Sequence, residues 1–272
     1  MDSTTGPLFM YFTPYAPHEP AIPAPRHETA FSDLAAWRPA SYNEADVSDK
    51  PAWGRTGRLW GETKQAKVDA FRLSQLRSLP AVDEAVARIV AALERTGRLS
   101  NTMIAYMGDN GFAWGEHRLR GELMAYEESI RVPFVLRYDP LVSLGRADEH
   151  FVLNIDVAPT AAEIAGVTTP AVDGQSPVPL LTNARTAWRT DFLVERLKKP
   201  GSRVPSYCAV RGKHAMLIEY ETGELELYDL TQDPFELTNL ASEPKHAPML
   251  GRLTDRLRDL CSSPPPGTPL PL

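Results

Sequence analysis

Apolar residues in this chain fall into short runs separated by long polar stretches. The first run, Leu8-Phe9-Met10-Tyr11-Phe12, is continuous and aromatic and predicts a buried strand. A buried strand needs neighbours on both sides, and only seven residues precede this one, so the pattern predicts a chain that starts in the middle of a fold. Residues 26–65 are polar and rich in tryptophan and glycine, without a sustained period; they predict a long surface excursion with short helical turns. Residues 66–95 predict a helix, because Val82, Val86, Ile89, Val90 and Leu93 recur on one face. Pro80 predicts an interruption or restart of that helix, and Gly97 its C-terminal stop.

Thr102-Met103-Ile104-Ala105-Tyr106-Met107 follows as a second apolar run and ends at Gly108-Asp109-Asn110-Gly111. Helix, short turn, buried strand and polar loop together make an α/β signature, and ligands of open α/β sheets collect beyond the carboxyl ends of strands. Val132-Pro133-Phe134-Val135-Leu136-Arg137 predicts a further buried strand. A third helix is expected from about Asp156, which can cap it, with Pro159 in the first turn. Beyond residue 171 short strands are predicted at 191–195, 206–211, 213–220 and 224–228, with a hairpin at Glu221-Thr222-Gly223-Glu224. A closing helix carries Leu250, Leu253, Leu257 and Leu260 on one face. The expected organisation is an α/β core over 1–170, a small α+β unit with an antiparallel sheet over 171–261, and a disordered proline-rich tail over 262–272.

Composition narrows the classes. The chain has 272 residues, 43% apolar and 24% charged, with 29 basic against 35 acidic side chains and a net charge of −6. These are the proportions of an ordinary globular protein and leave no basic footprint for nucleic acid. No apolar stretch is long enough for a membrane span. No basic segment followed by an apolar core opens the chain, so no signal peptide is visible and a cytoplasmic location is the default expectation. Two cysteines, Cys208 and Cys261, make neither a disulfide framework nor a four-cysteine zinc site; each is expected to be an inert thiol.

Three short segments carry candidate chemistry. Asp109-Asn110-Gly111 offers a carboxylate and an amide oxygen side by side at a strand end, the donors that calcium and magnesium prefer, although the same triplet is a common turn. Pro17-His18-Glu19-Pro20 holds a histidine between prolines, where it can face an anionic oxygen or act as a general acid, or be a plain surface residue. Gly115-Glu116-His117 either lines the same cleft or orders its loop. Glu127, Glu128 and Arg131 read as a structural ion-pair and capping cluster. No Gly-x-Ser-x-Gly elbow, Walker loop or dinucleotide fingerprint is present.

Taken in order, these segments resemble the sulfatase family of the alkaline-phosphatase-like superfamily. Residues 8–20 resemble its strand and Pro-His loop, 82–111 its long helix leading to Asp-Asn-Gly, and 115–137 its next block. Residues 155–176 resemble the Asp-x-x-Pro-Thr helix and Asp-Gly-x-Ser loop, and 225–241 the Leu-Tyr-Asp-Leu…Asp-Pro-x-Glu-x-x-Asn-Leu segment. The resemblance implies a partial sulfatase core that hydrolyses sulfate esters of a small molecule or glycan. Asp109 and Asn110 would be two ligands of a calcium ion, His18 would contact the ester or protonate the leaving oxygen, and His117 would face substrate. The family's sulfate-binding lysine falls at Glu122, where a carboxylate repels the anion that an ammonium attracts. That reversal is a swing of several kcal/mol at ~4 Å and an effective dielectric of ~20.

The N-terminal Asp-Asp metal pair and the Cys/Ser-x-Pro/Ala-x-Arg motif, whose first residue becomes the formylglycine nucleophile, are not in this sequence. Cys208 is followed by Ala209-Val210-Arg211 and Cys261 by Ser262-Ser263-Pro264. The resemblance therefore covers the C-terminal part of a sulfatase, with half of its metal site, and the chain is expected to be inactive by itself. Two alternatives stand beside that reading: a non-catalytic relative that binds a metal, an anion or a partner, and a phosphate or phosphonate ester hydrolase of the same superfamily. Association through exposed sheet edges is a further expectation.

Overall fold

A computed structural model describes residues 6–142 and 144–261. The expected tail over 262–272 lies outside the described residues. The chain is mixed α/β with antiparallel sheets. Its best-packed part is a four-stranded antiparallel sheet, β5 (Asp191–Arg196), β6 (Tyr207–Gly212), β7 (Ala215–Tyr220) and β8 (Leu225–Asp229), in that spatial order. These match the predicted strands to within two residues at each end. The β7–β8 hairpin closes through Gly223, whose φ of +79° is the left-handed conformation glycine tolerates.

The sheet is covered on both faces. On one, Cys208, Val210, Leu217 and Leu227 pack against the apolar stripe of α6 (Ala247–Cys261), including Leu250, Leu253, Leu257 and Leu260. On the other, Ala209, Met216, Ile218 and Tyr228 pack against Ala113, Met124 and Tyr126 from the first half of the chain. Burial from both sides explains why β6 and β7 read as continuous apolar runs and not as alternating ones. The second face contains a carboxylate: Glu226 is wholly buried and accepts hydrogen bonds from the hydroxyls of Tyr126 (2.8 Å), Tyr220 (2.8 Å) and Tyr228. Three donors replace the water it loses. Burial nonetheless pushes its carboxyl above the ordinary range.

Cys208 and Cys261 are joined in a disulfide that fastens the end of α6 to β6, which corrects the expectation of two inert thiols. Spacing alone did not reveal the pair, because the two positions, 53 apart in sequence, are brought together by the sheet and α6.

The first half is built around α2 (Glu62–Arg95), about 50 Å long at 1.5 Å per residue. It runs unbroken through Pro80, against the predicted interruption. Side chains on either side of that proline tie the helix to the segment before it: Gln75 donates to the Pro17 carbonyl, Arg77 to the Ala30 carbonyl, and Glu84 accepts from Arg26 and His27. These anchors offset the ~3 kcal/mol a proline costs inside a helix. The helix ends at Gly97, φ +67°, as expected.

The strand predicted at Leu8–Phe12 does not form; the segment is exposed, with Phe9 81% and Tyr11 82% accessible, and no strand pairs with it among the described residues. The other two predicted strands of this half, β1 (Ile104–Met107) and β4 (Phe134–Arg137), pair with each other antiparallel as a two-stranded sheet, and β2 (Ala113–Trp114) and β3 (Arg120–Gly121) make a second, shorter pair between them in sequence. They are half-buried, not fully buried as predicted: Tyr106 and Val135 face outward. Residues 26–65 form short turns around α1 (Ala52–Arg55) but are not a simple surface excursion. Ser41, Glu44, Val47, Lys50 and Trp60 are buried, and Lys50 donates to the Leu237 carbonyl across the molecule. Asn239 completes that clamp. Its amide donates to the Asp49 and Leu225 carbonyls and its side-chain oxygen accepts from the Leu227 and Ala241 amides.

Candidate functional site

Asp109 and Asn110 follow β1 and stand exposed at its carboxyl end, as predicted. Gly111 is required for close approach: a Cβ there would sit 2.1 Å from the Glu128 carbonyl oxygen, and its N–H donates to the Ser129 carbonyl at 2.8 Å. The turn is thereby pressed onto α3 (Glu127–Ile130). Asp109 Oδ1 accepts from the Asn110 amide at 3.0 Å, and Asn110 Nδ2 donates to the Gly111 carbonyl at 2.8 Å. Asp109 Oδ2 and Asn110 Oδ1 are left without a partner among the described residues.

A second element holds this turn from the far side. Asn154 Nδ2 donates to the Asp109 carbonyl at 2.6 Å. Two residues later Asp156, wholly buried, makes a bidentate pair with Arg189 (2.7 and 2.8 Å) and accepts from the amides of Leu153 and Gln175. Asp156 thus does not cap α4 (Val157–Ala165) with its side chain, as the sequence suggested; it ties three segments together behind the site. Gly174 makes this possible, since a Cβ there would lie 1.9 Å from the Ile155 carbonyl oxygen.

Asp109, Asn110 and Glu122 line one open cleft of about 2200 Å³ between this half and the edge strand β5. Its wall also carries Arg131 and Lys199, whose side chains have no partner among the described residues. Sequence reasoning put Arg131 into an ion-pair cluster with Glu127 and Glu128. Instead Glu127 pairs with Arg211 of β6 at 2.6 Å, and Glu128 accepts from Ser41 at 3.1 Å. The sequence does not mark Lys199, because the loop after β5 reaches this cleft only through the tertiary fold.

His18 and His117 are not on that wall. His18 sits in an exposed loop, its Nδ1 2.7 Å from the Glu19 carbonyl oxygen and 3.0 Å from the Tyr15 hydroxyl. Its loop is anchored by the Glu19–Arg120 pair at 2.7 Å, and Arg120 lies over the Phe71 and Phe112 rings. The histidine loop is in this way linked to Phe112, two residues beyond Asn110. His117 is buried, stacked on Tyr126 with ring centroids 4.3 Å apart, and bonded through Nδ1 to Glu44 at 2.8 Å. Its Nδ1 contact orders the loop of Gly115-Glu116-His117, while its Nε2 is buried without a partner among the described residues. Glu116 is buried as well and accepts from the Trp114 amide and the Trp37 indole.

Comparison with known proteins places this geometry. The family description "Sulfatase" matches residues 1–167, and "N-sulphoglucosamine sulphohydrolase, C-terminal" matches 115–263. The chain belongs to the sulfatase family. Among curated relatives, human N-acetylglucosamine-6-sulfatase is 32% identical over 98% of this chain and 55% of its own length. The arylsulfatase of Volvox carteri is 31% identical over 89% of this chain and 45% of its own. The chain thus spans about half the length of the curated relatives it matches. A protein solved in complex with its substrate D-glucosamine-2-N,6-O-disulfate superposes with a TM-score of 0.78 at 25% identity, over 91% of this chain and 63% of the other. The phosphonate monoester hydrolase of Agrobacterium radiobacter shares the fold, with a TM-score of 0.66 over 73% of this chain and 42% of the other. This sulfatase-family chain therefore has the alkaline-phosphatase-like architecture that the ordered motifs implied.

The donor set at Asp109 and Asn110 fits a hard cation in type: one free carboxylate oxygen and one free amide oxygen face the cleft. It does not fit in number. Calcium takes about six to eight oxygens, and no histidine, cysteine or further carboxylate closes a three-residue cluster around this pair among the described residues.

Proposed function

We propose that this chain supplies the substrate-facing wall, and half of the metal site, of a sulfuric ester hydrolase acting on a sulfated amino sugar. The observation that carries the reading is the pair of unpartnered oxygens on Asp109 and Asn110, held at the cleft by Gly111 from one side and Asn154 from the other. Those two residues would hold a calcium ion, which when bound supplies positive charge against a sulfate oxygen. The chain's own cations, Arg131 and Lys199, face the same cleft and attract an anionic sugar. His18, on its separate loop, serves as the proton donor to the leaving oxygen. The amino-sugar assignment rests on the relatives named above, two of which carry glucosamine sulfates in their names or complexes.

By itself the chain binds and does not turn over. Neither cysteine stands in a Cys-x-Pro-x-Arg motif, and both sulfurs are committed to one disulfide. Without the covalent nucleophile the loss is many orders of magnitude. Calorimetry with calcium on this chain should give weak binding that Asp109→Ala removes; tight binding, or binding indifferent to that change, defeats the half-site reading. Nitrophenyl sulfate should not be hydrolysed above the buffer rate. Steady turnover would overturn the non-catalytic reading, and turnover of nitrophenyl phosphate in preference would move the assignment to the phosphonate hydrolase branch. Glu122→Lys should tighten binding of a sulfated glucosamine.

A further inference from the structure

A second cluster of ligating side chains lies on the α6 side of the C-terminal sheet, apart from Asp109 and Asn110. Register puts Cys208 of β6 directly between Glu195 of β5 and Glu219 of β7. Cross-strand partners point to the same face of a sheet, here the face that α6 covers. Cys261, the last residue of α6, meets Cys208 there. The two sulfurs and a carboxylate oxygen of Glu195 all lie within 4.8 Å of one another. The cysteines are buried, whereas Glu195 is exposed on the edge strand, so the cluster has one side open to solvent.

Two thiolates and a carboxylate are the ligand types of zinc. Zn–S bonds of about 2.3 Å and Zn–O bonds of about 2.0–2.2 Å put tetrahedral ligand atoms roughly 3.5–4 Å apart. In the oxidised chain the two sulfurs are bonded to each other, so reduction must free them to part to that spacing, with the Glu195 oxygen already within 4.8 Å of both. We propose that the reduced chain binds one soft divalent cation, zinc by its chemistry, through Cys208, Cys261 and Glu195, with water as the fourth ligand. The oxidised chain closes the same position with its disulfide.

The exchange balances as follows. A dithiol donor delivers two electrons and two protons; the S–S bond breaks, two S–H groups form, and the donor leaves as its own disulfide. Zinc then displaces both thiol protons to solvent as two Zn–S bonds form. In either state the end of α6 stays fastened to β6, so the helix cover of the sheet survives a change of redox environment.

The test uses the full chain and cobalt(II) as the spectroscopic probe. After reduction by a phosphine, which brings no competing thiolate, the chain should bind one cobalt per molecule with thiolate-to-cobalt charge-transfer absorption. Zinc should displace it, and the oxidised chain should show no such band. Cys208→Ser and Cys261→Ser should each lose the band. Because those changes also remove the disulfide, Glu195→Gln is the second variant. It alters an exposed edge position, should leave far-ultraviolet circular dichroism unchanged, and should weaken cobalt binding about tenfold or more. Absence of the band in the reduced chain, an equal band in the oxidised chain, persistence of the band in either serine variant, or unchanged affinity in Glu195→Gln would each overturn the assignment.

Discussion

The C-terminal sheet and the Leu8–Phe12 segment are equally apolar in sequence and opposite in the fold. Ala209, Val210, Met216, Leu217, Ile218, Leu227 and Tyr228 are 0% exposed, whereas Leu8 through Phe12 stand in solvent. The four sheet strands make three in-register pairings, with a helix on one face and the first half of the chain on the other. The aromatic run finds none of these among the described residues. An apolar run reports a tendency to be buried; burial itself depends on a partner surface being within reach. The site residues show the same contrast at smaller scale. His117 was drawn inward by Glu44 and Tyr126, while Asp109 and Asn110, pinned by their backbone, keep free oxygens at the surface.

This contrast can be broken most forcefully at the Asp156–Arg189 pair, which supports the site from behind. Arg189→Ala leaves a buried carboxylate without its cation and should cost about 3–5 kcal/mol in chemical denaturation, with calcium binding at Asp109 weakened as well. A loss below 1 kcal/mol would show that the support is dispensable. In the sheet core Leu227→Ala should cost about 2–5 kcal/mol. Phe9→Ser marks the other end of the scale: it should shift stability by less than about 0.5 kcal/mol, and a large loss there would mean that the aromatic run is packed in solution.

Between these lies a pH effect confined to the buried face. Glu236 is wholly buried and its carboxyl is pushed well above 4.5, the value it has in an unfolded chain, chiefly by burial, despite the hydrogen bond from the Glu127 amide. Burial raises Glu226 and Glu128 in the same direction. The folded chain therefore holds protons that the unfolded chain releases. Their contribution to stability is full below about pH 4.5 and declines as pH rises through the folded values. The urea midpoint should fall as pH rises above about 4.5, and Glu236→Gln should flatten that slope. A midpoint that rises over this range in the parent chain would contradict the assignment.

Much of the chemistry was legible as spacing. Asp109-Asn110-Gly111 announced a strand-end turn with oxygen donors, whereas the segment at 225–241 carried a family resemblance without showing the clamp that Asn239 makes. The reason Gly111 must be glycine was not legible, since it is contact with the Glu128 backbone and not a left-handed turn. Arg131 and Lys199 escaped because an isolated cation in sequence does not show whether an acid will meet it. Arg211 took Glu127, and Arg131 was left facing the cleft.

By itself the sequence determined the local elements: the long helix, the four C-terminal strands with their hairpin, the amphipathic closing helix and the turn that presents Asp109 and Asn110. Each follows from periodicity, a glycine or a short-range hydrogen bond, which act over a few residues. Tertiary structure alone decided that Cys208 and Cys261 meet, that Pro80 is carried through a helix, that His117 is buried and that Leu8–Phe12 is not. Those outcomes turn on which distant surfaces come together, and a pattern of hydrophobic and polar positions holds the demand for a partner without naming it.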